Sequence, residues 1–493
     1  MPVSCGACSL RCRGFRPANT APPCSSATFS CGRSPPFPPT PTSELSMNTF
    51  LRRALLTVSG LVLLVAVVGG FAFAGFTVTM AQDFAPLPGR SSAPDAPPRP
   101  AAPDRIQVAI LLGRGGTVAT DAMGPYGVFA ASERFDVRTV SSSGAPVALS
   151  GGLTTVPDAS FEDYESGRLP RPDLVVVPAI TDPSGAEEAD LRSFIESAHA
   201  SGARIMGVCA GARVLVETSV LKGKKATSFW SDIDGLSSAH PETTWVRGQR
   251  WVEDGDVLTT AGVSSGIAAS LFAVQQRAGT AEALRIAEDV RYPHWEPDAP
   301  TDIPVNTVSL ADYPYVLGAT LPWGQPRYGL GLTPGVDEIE VAAAAELYGG
   351  AAFTAHMVPV ARTAEVTTRH GMKLLATPVT KAGRLDRLVI PGAASSAPFA
   401  EAVPDVPVFL PATAAGTGNT SFDPILVDIA RTEGRHTAET AAKYIEYPLP
   451  PLPQQDGTPT RVVTIAIIGV LVAVTVGVSP AVVSRTRRRA RLR

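Results

Sequence analysis

The chain has little cysteine outside one short segment. Six cysteines occur among 493 residues, and five of them fall within the first 31. Cys209 is the single cysteine in the remaining 462 residues, which excludes a framework of intramolecular disulfides in the body of the protein. A lone cysteine is either a small buried apolar residue or a reactive thiol, and its local sequence has to decide between them.

The body of the chain also lacks a basic excess. The formal net charge is −3, but residues 1–53 carry +5 and residues 485–493 carry +6, which leaves −14 for residues 54–484. An acidic body argues against nucleic acid as a partner, because such partners are bound by basic surfaces. Apolar residues make up 45% of the chain, so a wholly disordered protein is excluded.

Long apolar runs are confined to two places. Ala54–Phe76 and Val462–Ser484 each contain 23 residues without a charge, more than the roughly 20 residues that cross a bilayer. We expect transmembrane helices at 54–76 and 461–484. Arginines flank both runs on their outer sides, so the positive-inside rule places both termini in the cytoplasm and the body outside the cell membrane.

The N-terminal segment leaves two alternatives open. Residues 1–53 are typical of a disordered leader and a cytoplasmic flank, and 1–46 are doubtful as part of the working protein because Met47 begins a more typical membrane signal. Ala72-Phe73-Ala74 resembles a signal-peptidase site, so the first run is either an anchor or a cleaved signal. No residues complete a zinc site around the leader cysteines, and we expect no metal and no cofactor.

Proline-rich segments delimit the folded body. Residues 77–104 form a Pro/Ala linker and residues 449–460 a second Pro-rich linker. The basic tail at 485–493 fits anionic membrane lipid as a partner.

Short apolar runs alternate with helical patterns between the two linkers. Strands are expected at 107–112, 135–140, 173–178 and 203–208, and helices at 125–132, 187–199 and 211–220. This alternation, with strands that are almost continuously apolar, predicts an α/β fold with a buried parallel sheet.

Segments of this body recur later in the chain. DLVVVPA at 173–179 is answered by DRLVIPG at 386–392, and the Tyr-Pro-terminated helix at 279–293 by another at 435–448. We therefore predict a duplicated fold, flanked by the two membrane helices, with a first copy at 105–296, a connector at 297–326 and a shorter second copy at 327–448.

The turn around the lone cysteine has the sequence pattern of a catalytic site. GVCAGA at 207–212 follows an apolar strand and precedes a helix, which is the layout of a nucleophile elbow with cysteine in the serine position. Backbone N–H groups at the start of a helix favour a thiolate and can stabilise an oxyanion. The alternative is a buried cysteine that happens to lie between glycines.

Five ordered motifs resemble the DJ-1/PfpI superfamily, which is class I glutamine amidotransferase-like. The resemblance is nearest to the branch of isocyanide hydratases and the ligand-sensing domains of AraC-type regulators. The matching segments are DAMGPYGVF (121–129), DLVVVP (173–178), GVCAGA (207–212), VLKGKKAT (220–227) with Trp230, and TTAGVSSGI (259–267). The resemblance implies a flavodoxin-like parallel-sheet sandwich.

The same resemblance implies a set of site residues. Cys209 and Asp121 would be catalytic, with the carboxyl against the thiol. Contacts to a substrate or oxyanion would come from Ala179, Ala210, Gly211, Gly124 and Trp230. Asp121 precedes a helical run, so a helix cap is a second and compatible role for it.

The sequence departs from that branch at several positions. Phe229 stands where a histidine is common, Ala268 where an aspartate is common, Ala179 where a glycine is usual, and Ala210 where hydratases tend to have a hydroxyl. The second copy has acids at positions 337, 338 and 340 but no elbow and no cysteine. It is expected to have a structural or dimer-mimicking role, so the alternatives are a dimer and an intramolecular pseudo-dimer.

Two hypotheses about function follow. In one, Cys209 adds to a small electrophilic substrate in hydratase or lyase chemistry of the isocyanide hydratase type, with Asp121 moving the proton. In the other, the site is a non-catalytic module that binds a small ligand or senses redox state through an exposed thiol of low pKa.

Overall fold

The computed structural model describes residues 44–87, 98–292, 295–414 and 421–453, together with 464, 467–471 and 474. The chain forms two compact units, residues 1–57 and 58–493. Residues 1–43 with the five leader cysteines, the basic tail, most of the second apolar run and residues 454–460 lie outside the described residues.

Helix α1, Glu44–Asp83, contains the first apolar run and extends beyond both of its ends. Within the described part of the chain, Thr57–Asp83 is the one helical stretch that is long and apolar enough to cross a membrane, by length and composition alone. Its last turns contact other parts of the 58–493 unit. The ring of Phe71 lies 4.5 Å from that of Trp323, and the Asp83 carboxylate accepts a hydrogen bond of 2.8 Å from the Gly151 N–H.

Between helix α1 and residue 292, the structure contains the predicted strands and helices together with additional short strands. The strands are β1 (Ile106–Leu111), β2 (Phe135–Ser141), β3 (Val147–Ala148), β4 (Thr154–Val156), β5 (Ala159–Ser160), β6 (Leu174–Val177), β7 (Arg204–Gly207), β8 (Lys225–Ala226), β9 (Thr244–Trp245), β10 (Trp251–Asp254) and β11 (Val257–Thr260). The helices are α2 (Ala119–Ala130), α3 (Phe161–Glu165), α4 (Ala189–Ala200), α5 (Ala212–Val216), α6 (Ile233–Ala239), α7 (Val263–Ala278) and α8 (Thr280–Asp289).

Seven of these strands form the first sheet, in the order β10-β11-β7-β6-β1-β2-β5. Neighbouring strands are parallel except for the β10–β11 pair. Alternate residues of β1 join different apolar layers: Val108 and Ile110 pack on one face, and Ala109 and Leu111 on the other. The buried parallel sheet of an α/β fold is therefore confirmed, and burial on both faces explains why its strands are so apolar.

The rest of the described chain contains a second parallel sheet. Its elements are α9 (Tyr313–Thr320), β12 (Arg327–Gly331), α10 (Glu338–Ala345), β13 (His356–Ala361), β14 (Glu365–Thr367), β15 (Lys373–Leu375), β16 (Thr377–Pro378), β17 (Arg387–Val389), α11 (Ala397–Ala400), β18 (Val408–Phe409), α12 (Pro411–Ala414), α13 (Asp423–Thr432) and α14 (Arg435–Tyr444). The strand order is β16-β13-β12-β17-β18. Helix α10 continues as a π-helix at Glu346–Ala351.

Two structural links join the first and second sheets. The β3–β4 and β14–β15 hairpins form one four-stranded sheet in the order β14-β15-β4-β3. Helix α2 packs against helix α10, and a Cβ at Gly127 would lie 3.1 Å from Cγ1 of Ile339. The close approach of two helices at a glycine permits one continuous apolar core.

The predicted linker and connector are more structured than their composition suggests. Residues 77–83 complete helix α1, and Arg99 forms an ion pair of 2.6 Å with the buried Asp136. In the connector, the ring of Tyr315 stacks on Tyr444 at 3.7 Å. The prediction of an unpacked 77–104 linker is therefore wrong at both ends, because residues 77–83 contain no proline and continue helix α1, and Arg99 is held by a buried carboxylate.

The α2–α10 contact predicts a measurable loss of stability. Ile339 is 2% exposed, so Ile339→Ala should leave a cavity and lower the free energy of unfolding by about 2–5 kcal/mol. Urea unfolding of the full chain in detergent checks this. Leu284→Ala, at a side chain 44% exposed, is the control and should change stability by less than about 0.5 kcal/mol. If both substitutions lower the free energy of unfolding equally, the packing of helix α2 against helix α10 is contradicted.

Candidate active site

Cys209 occupies a strained turn between a strand and a helix. Strand β7 ends at Gly207, and a 3₁₀ turn at Cys209–Gly211 leads into helix α5. The φ angle of Cys209 is 54°, in a region that non-glycine residues rarely adopt. Two contacts hold this conformation: Cys209 N–H donates to the Thr260 hydroxyl (3.2 Å), and the Ser228 hydroxyl donates to the Cys209 carbonyl (3.2 Å).

The residues after the cysteine have separate roles. A Cβ at Gly211 would overlap the Val177 carbonyl oxygen, so this position requires glycine. The Ala210 N–H faces the thiol and stabilises its ionised form, which lowers the Cys209 pKa. The strand–turn–helix layout predicted for an elbow is thus present, with one backbone donor directed at the sulfur.

Asp121 lies within helix α2 and reaches the same place. Its Oδ2 accepts a hydrogen bond of 3.2 Å from Ala179 N–H, just after strand β6. Its Oδ1 is buried and has no hydrogen-bond partner among the described residues. The N-terminal cap of α2 is Val118, without a side-chain bond. The helix-cap role considered for Asp121 is therefore wrong, because the helix begins earlier than the sequence predicts.

The thiol and the carboxyl share a dry environment that disfavours charge on either. Burial raises the pKa of Asp121 well above its usual value and the negative charge of Glu346 raises it further, while Ala179 N–H and the Cys209 thiol oppose this. Burial, followed by the charge of Asp121, likewise raises the Cys209 pKa well above its usual value. The expectation of an exposed thiol of low pKa is wrong, since the side chain is enclosed.

Two of the residues predicted to contact a substrate, Gly124 and Trp230, pack against other parts of the protein. A Cβ at Gly124 would lie 3.0 Å from Cγ1 of Ile267, so this glycine lets α2 approach α7. Trp230 is buried, with its ring 5.4 Å from that of Tyr444 and 5.0 Å from the Lys443 ammonium. Trp230 thus contacts the last helix of the second-sheet region.

Glu446 is a site residue that the sequence did not reveal. It follows helix α14, has a φ of 50°, and accepts a hydrogen bond from Gly262 N–H at the start of helix α7. The Ser264 hydroxyl donates to the Glu446 carbonyl at 2.8 Å. Burial raises the Glu446 pKa to about 7, and the negative charge of Glu446 in turn raises the Cys209 pKa. The Tyr-Pro ending of the repeated helix is the sequence pattern next to Glu446. That pattern does not indicate that the glutamate side chain turns toward the cysteine site.

Glu346 is a second buried acid that the motifs did not indicate. It accepts a hydrogen bond of 3.0 Å from the Ser150 hydroxyl, which in turn accepts from the Ala119 N–H at 2.8 Å. Burial and the charge of Asp83 raise the Glu346 pKa to about 7, against the Ser150 hydrogen bond. This acid lies in the π-helix after α10, where no sequence pattern marks a functional residue.

The acids of the second-sheet region serve structural contacts. Asp337 caps helix α10 by accepting from the Ile339 N–H at 2.9 Å. Ligand atoms of Asp337, Glu338 and His370 lie within 4.8 Å of one another, but Glu338 and His370 are hydrogen-bonded to each other at 2.7 Å. Glu340 forms an ion pair of 2.8 Å with Arg291. These interactions account for the cluster without an ion.

Comparison with known proteins identifies the family. Residues 106–276 match the DJ-1/PfpI family. Isonitrile hydratase of Pseudomonas putida is 31% identical over 198 residues, covering 39% of this chain and 82% of that protein. The chain belongs to the DJ-1/PfpI family. The HTH-type transcriptional regulator CdhR of Pseudomonas aeruginosa is 28% identical over 151 residues, 31% of this chain and 43% of the regulator.

A solved structure of a ThiJ/PfpI family protein from Pseudomonas syringae is 28% identical, with a TM-score of 0.35, and the match covers 42% of this chain and 85% of that one. The DJ-1/PfpI match contains Asp121 and Cys209 and ends within helix α7. The second sheet and Glu446 lie beyond it.

Burial predicts that the Cys209 thiol reacts slowly. Iodoacetamide alkylates thiolates, so a buried thiol with a raised pKa should be labelled at least 10-fold more slowly in the folded chain than in urea at pH 8. Peptide mass spectrometry that follows the Cys209 peptide alone measures the rate. Equal rates in the folded and unfolded chain would show that the thiol is open to solvent.

The raised Glu346 pKa predicts pH-dependent stability. The folded chain binds this proton more tightly than the unfolded chain, whose glutamate titrates near 4.5. The resulting stabilisation is complete below about pH 4.5 and is lost as the pH rises through about 7. Glu346→Gln should therefore raise the thermal midpoint at pH 8.5 by at least about 2–4 °C and change it little at pH 4.5. The exposed-site control Glu288→Gln should show no such difference, and the same shift at both pH values would contradict the prediction.

Proposed function

We propose that this DJ-1/PfpI protein uses Cys209 to add to a small electrophilic carbon, in hydration chemistry of the kind named in its isonitrile hydratase relative. The observation that carries the proposal is the interaction of a buried thiol, on a positive-φ turn, with the buried Asp121 carboxyl. Such a pair offers a nucleophile and a proton carrier in one dry place.

Asp121 is suited to move a proton in this setting. Its raised pKa favours the protonated form of the carboxyl, which can give its proton to a substrate carbon and take the thiol proton in exchange. Oδ2 is held by Ala179 N–H, while Oδ1 is free of other partners among the described residues. The carboxyl can therefore receive a proton from sulfur and release one toward a substrate.

The proposed reaction with an isonitrile consumes one water and regenerates the thiol. The Cys209 sulfur bonds to the isonitrile carbon, and the thiol proton reaches that carbon through Asp121, giving a thioimidate, R–N=CH–S–Cys. Water from solvent then adds to the same carbon, the C–S bond breaks, and the proton returns to sulfur. The products are an N-substituted formamide, R–NH–CHO, and the free thiol. Ala210 N–H is placed to stabilise negative charge on the sulfur.

A non-catalytic ligand-binding module is the second candidate. The enclosure of Cys209 and the nearby carboxylate of Glu446 favour it, because both keep solvent and anions from the sulfur. The relation to CdhR supports a binding role. A thiol redox sensor has less support, since oxidation requires an accessible thiolate.

The membrane arrangement belongs to the same proposal. Helix α1 would anchor the protein, with residues 461–484 as a second span, cytoplasmic termini and the body outside the cell. Because Phe71 contacts Trp323, the part of α1 inside the bilayer would end before that residue. Arg52 and Arg53 then leave 17 residues, 54–70, at the short end of the range that crosses a bilayer.

We further propose that the fold is duplicated as an intramolecular pseudo-dimer. The strand order β5-β2-β1-β6-β7 corresponds position by position to β16-β13-β12-β17-β18, with a hairpin inserted at the same point in each. Helices α2 and α10, which each follow the central strand, pack against one another. The proposed copies are 105–296 and 327–448, and the second contributes Glu446 to the first.

Activity of the full chain in detergent tests the catalytic proposal. Wild type should convert tert-butyl isonitrile to its formamide, measured by mass spectrometry. Cys209→Ala should abolish conversion, and Asp121→Asn should lower kcat by about 10²–10⁴. Asp405→Asn, at an exposed aspartate, is the matched control and should leave the rate unchanged.

Two results would contradict the proposal that Cys209 is a catalytic nucleophile. If wild type forms no formamide, the binding-module proposal is preferred. If Cys209→Ala retains full activity, the cysteine is not the nucleophile.

A further inference from the structure

A cavity of about 460 Å³ lies apart from the cysteine site. Its walls come from strand β10 and helix α7 on one side and from the segment after helix α14 on the other. The lining includes Arg250, Trp251, Ala268, Trp295, Asp423 and Tyr447. Neither Cys209 nor Asp121 lines it, and its volume is typical of a small-molecule site.

Aromatic rings form much of the wall and are held in place from behind. Trp251 stacks on Phe272 with centroids 5.3 Å apart, and Tyr447 stacks on Phe422 at 5.0 Å. Ala268 adds only a methyl group to the wall and so leaves the space open. A flat apolar group would fit between such fixed surfaces with little loss of side-chain entropy.

Two donors in the cavity wall have no acceptor. The indole Nε1–H of Trp295, a residue 6% exposed, has no hydrogen-bond partner in the described part of the chain. Nη1 of Arg250 is also buried and has no hydrogen-bond partner among the described residues. A buried donor without an acceptor destabilises the folded chain, and does so more where the group is charged. A ligand with acceptor oxygens would remove that destabilisation for both groups at once.

The cavity wall contains one positive side chain, Arg250, and two acidic ones, Asp423 and Glu296, so an anion is favoured next to the Arg250 guanidinium. Asp423 accepts a hydrogen bond of 2.8 Å from the Tyr447 hydroxyl, and Glu296 is exposed. Arg250 forms no ion pair within 4.0 Å among the residues described, and its charge only moderates the pKa of Glu446 from a distance. The guanidinium is thus the charged group in the wall that is least compensated.

We propose that this cavity binds a small organic anion, a carboxylate with a flat apolar body. The carboxylate accepts from Arg250 and Trp295, and the body lies against Trp251 and Tyr447. The site is independent of the chemistry proposed for Cys209, because a ligand here need not contact the sulfur.

Calorimetric titration of the full chain in detergent tests the site with a matched set of probes. Indole-3-acetate carries the carboxylate, indole-3-acetamide is its neutral isostere, and phenyltrimethylammonium is an aromatic cation. Indole-3-acetate should bind one per chain and at least 10-fold more tightly than the amide. Arg250→Met should weaken it at least 10-fold, and Ala268→Phe should abolish binding by filling the cavity.

Arg277→Met, which removes an exposed arginine at the end of helix α7, is the control and should bind as wild type does. The comparison of acid with amide uses wild type alone and so does not depend on a variant folding. The proposal is overturned if indole-3-acetate does not bind, if acid and amide bind equally, if Arg250→Met binds like wild type, or if the aromatic cation binds more tightly. If wild type binds indole-3-acetate but does not turn over the isonitrile, the proposed function alone is overturned.

Discussion

Burial of two acids side by side, the Cys209 thiol and the Asp121 carboxyl, is the constraint around which this protein is organised. Water would stabilise either anion, but both side chains are buried in the folded chain. Two neighbouring groups of this kind cannot both ionise at low cost. The surrounding donors are therefore few and specific: Ala179 N–H for the carboxyl and Ala210 N–H for the sulfur.

The second-sheet region completes that enclosure. Glu346 lies near Asp121 and Glu446 near Cys209, so negative charges from a part of the chain outside the matched family region raise the pKa of both the carboxyl and the thiol. Tyr444 covers Trp230 on the same side. A region of the chain without a cysteine can thus affect the site, because its side chains change the local electrostatic potential.

The sequence predicted the fold better than it predicted the environment of the site. Apolar strands, the glycine-flanked cysteine turn and Asp121 were all recognisable, because strand burial and tight turns restrict residue type locally. Helix α2 was expected to begin at Pro125, a residue common in first turns, yet it begins at Ala119. That difference moves Asp121 from a cap position to the first turn of the helix, where it accepts from the Ala179 N–H. Glu346 and Glu446 could not be found in this way, since their burial depends on contacts distant in the sequence.

The claim that Asp121 is held protonated beside the thiol can be measured directly. Infrared difference spectra of wild type minus Asp121→Asn at pH 5.5, where an ordinary aspartate is ionised, isolate the stretching band of this carboxyl. We expect the band of a protonated acid, and Cys209→Ala should shift it because the thiol is its neighbour. A carboxylate band in its place at pH 5.5 would contradict the account.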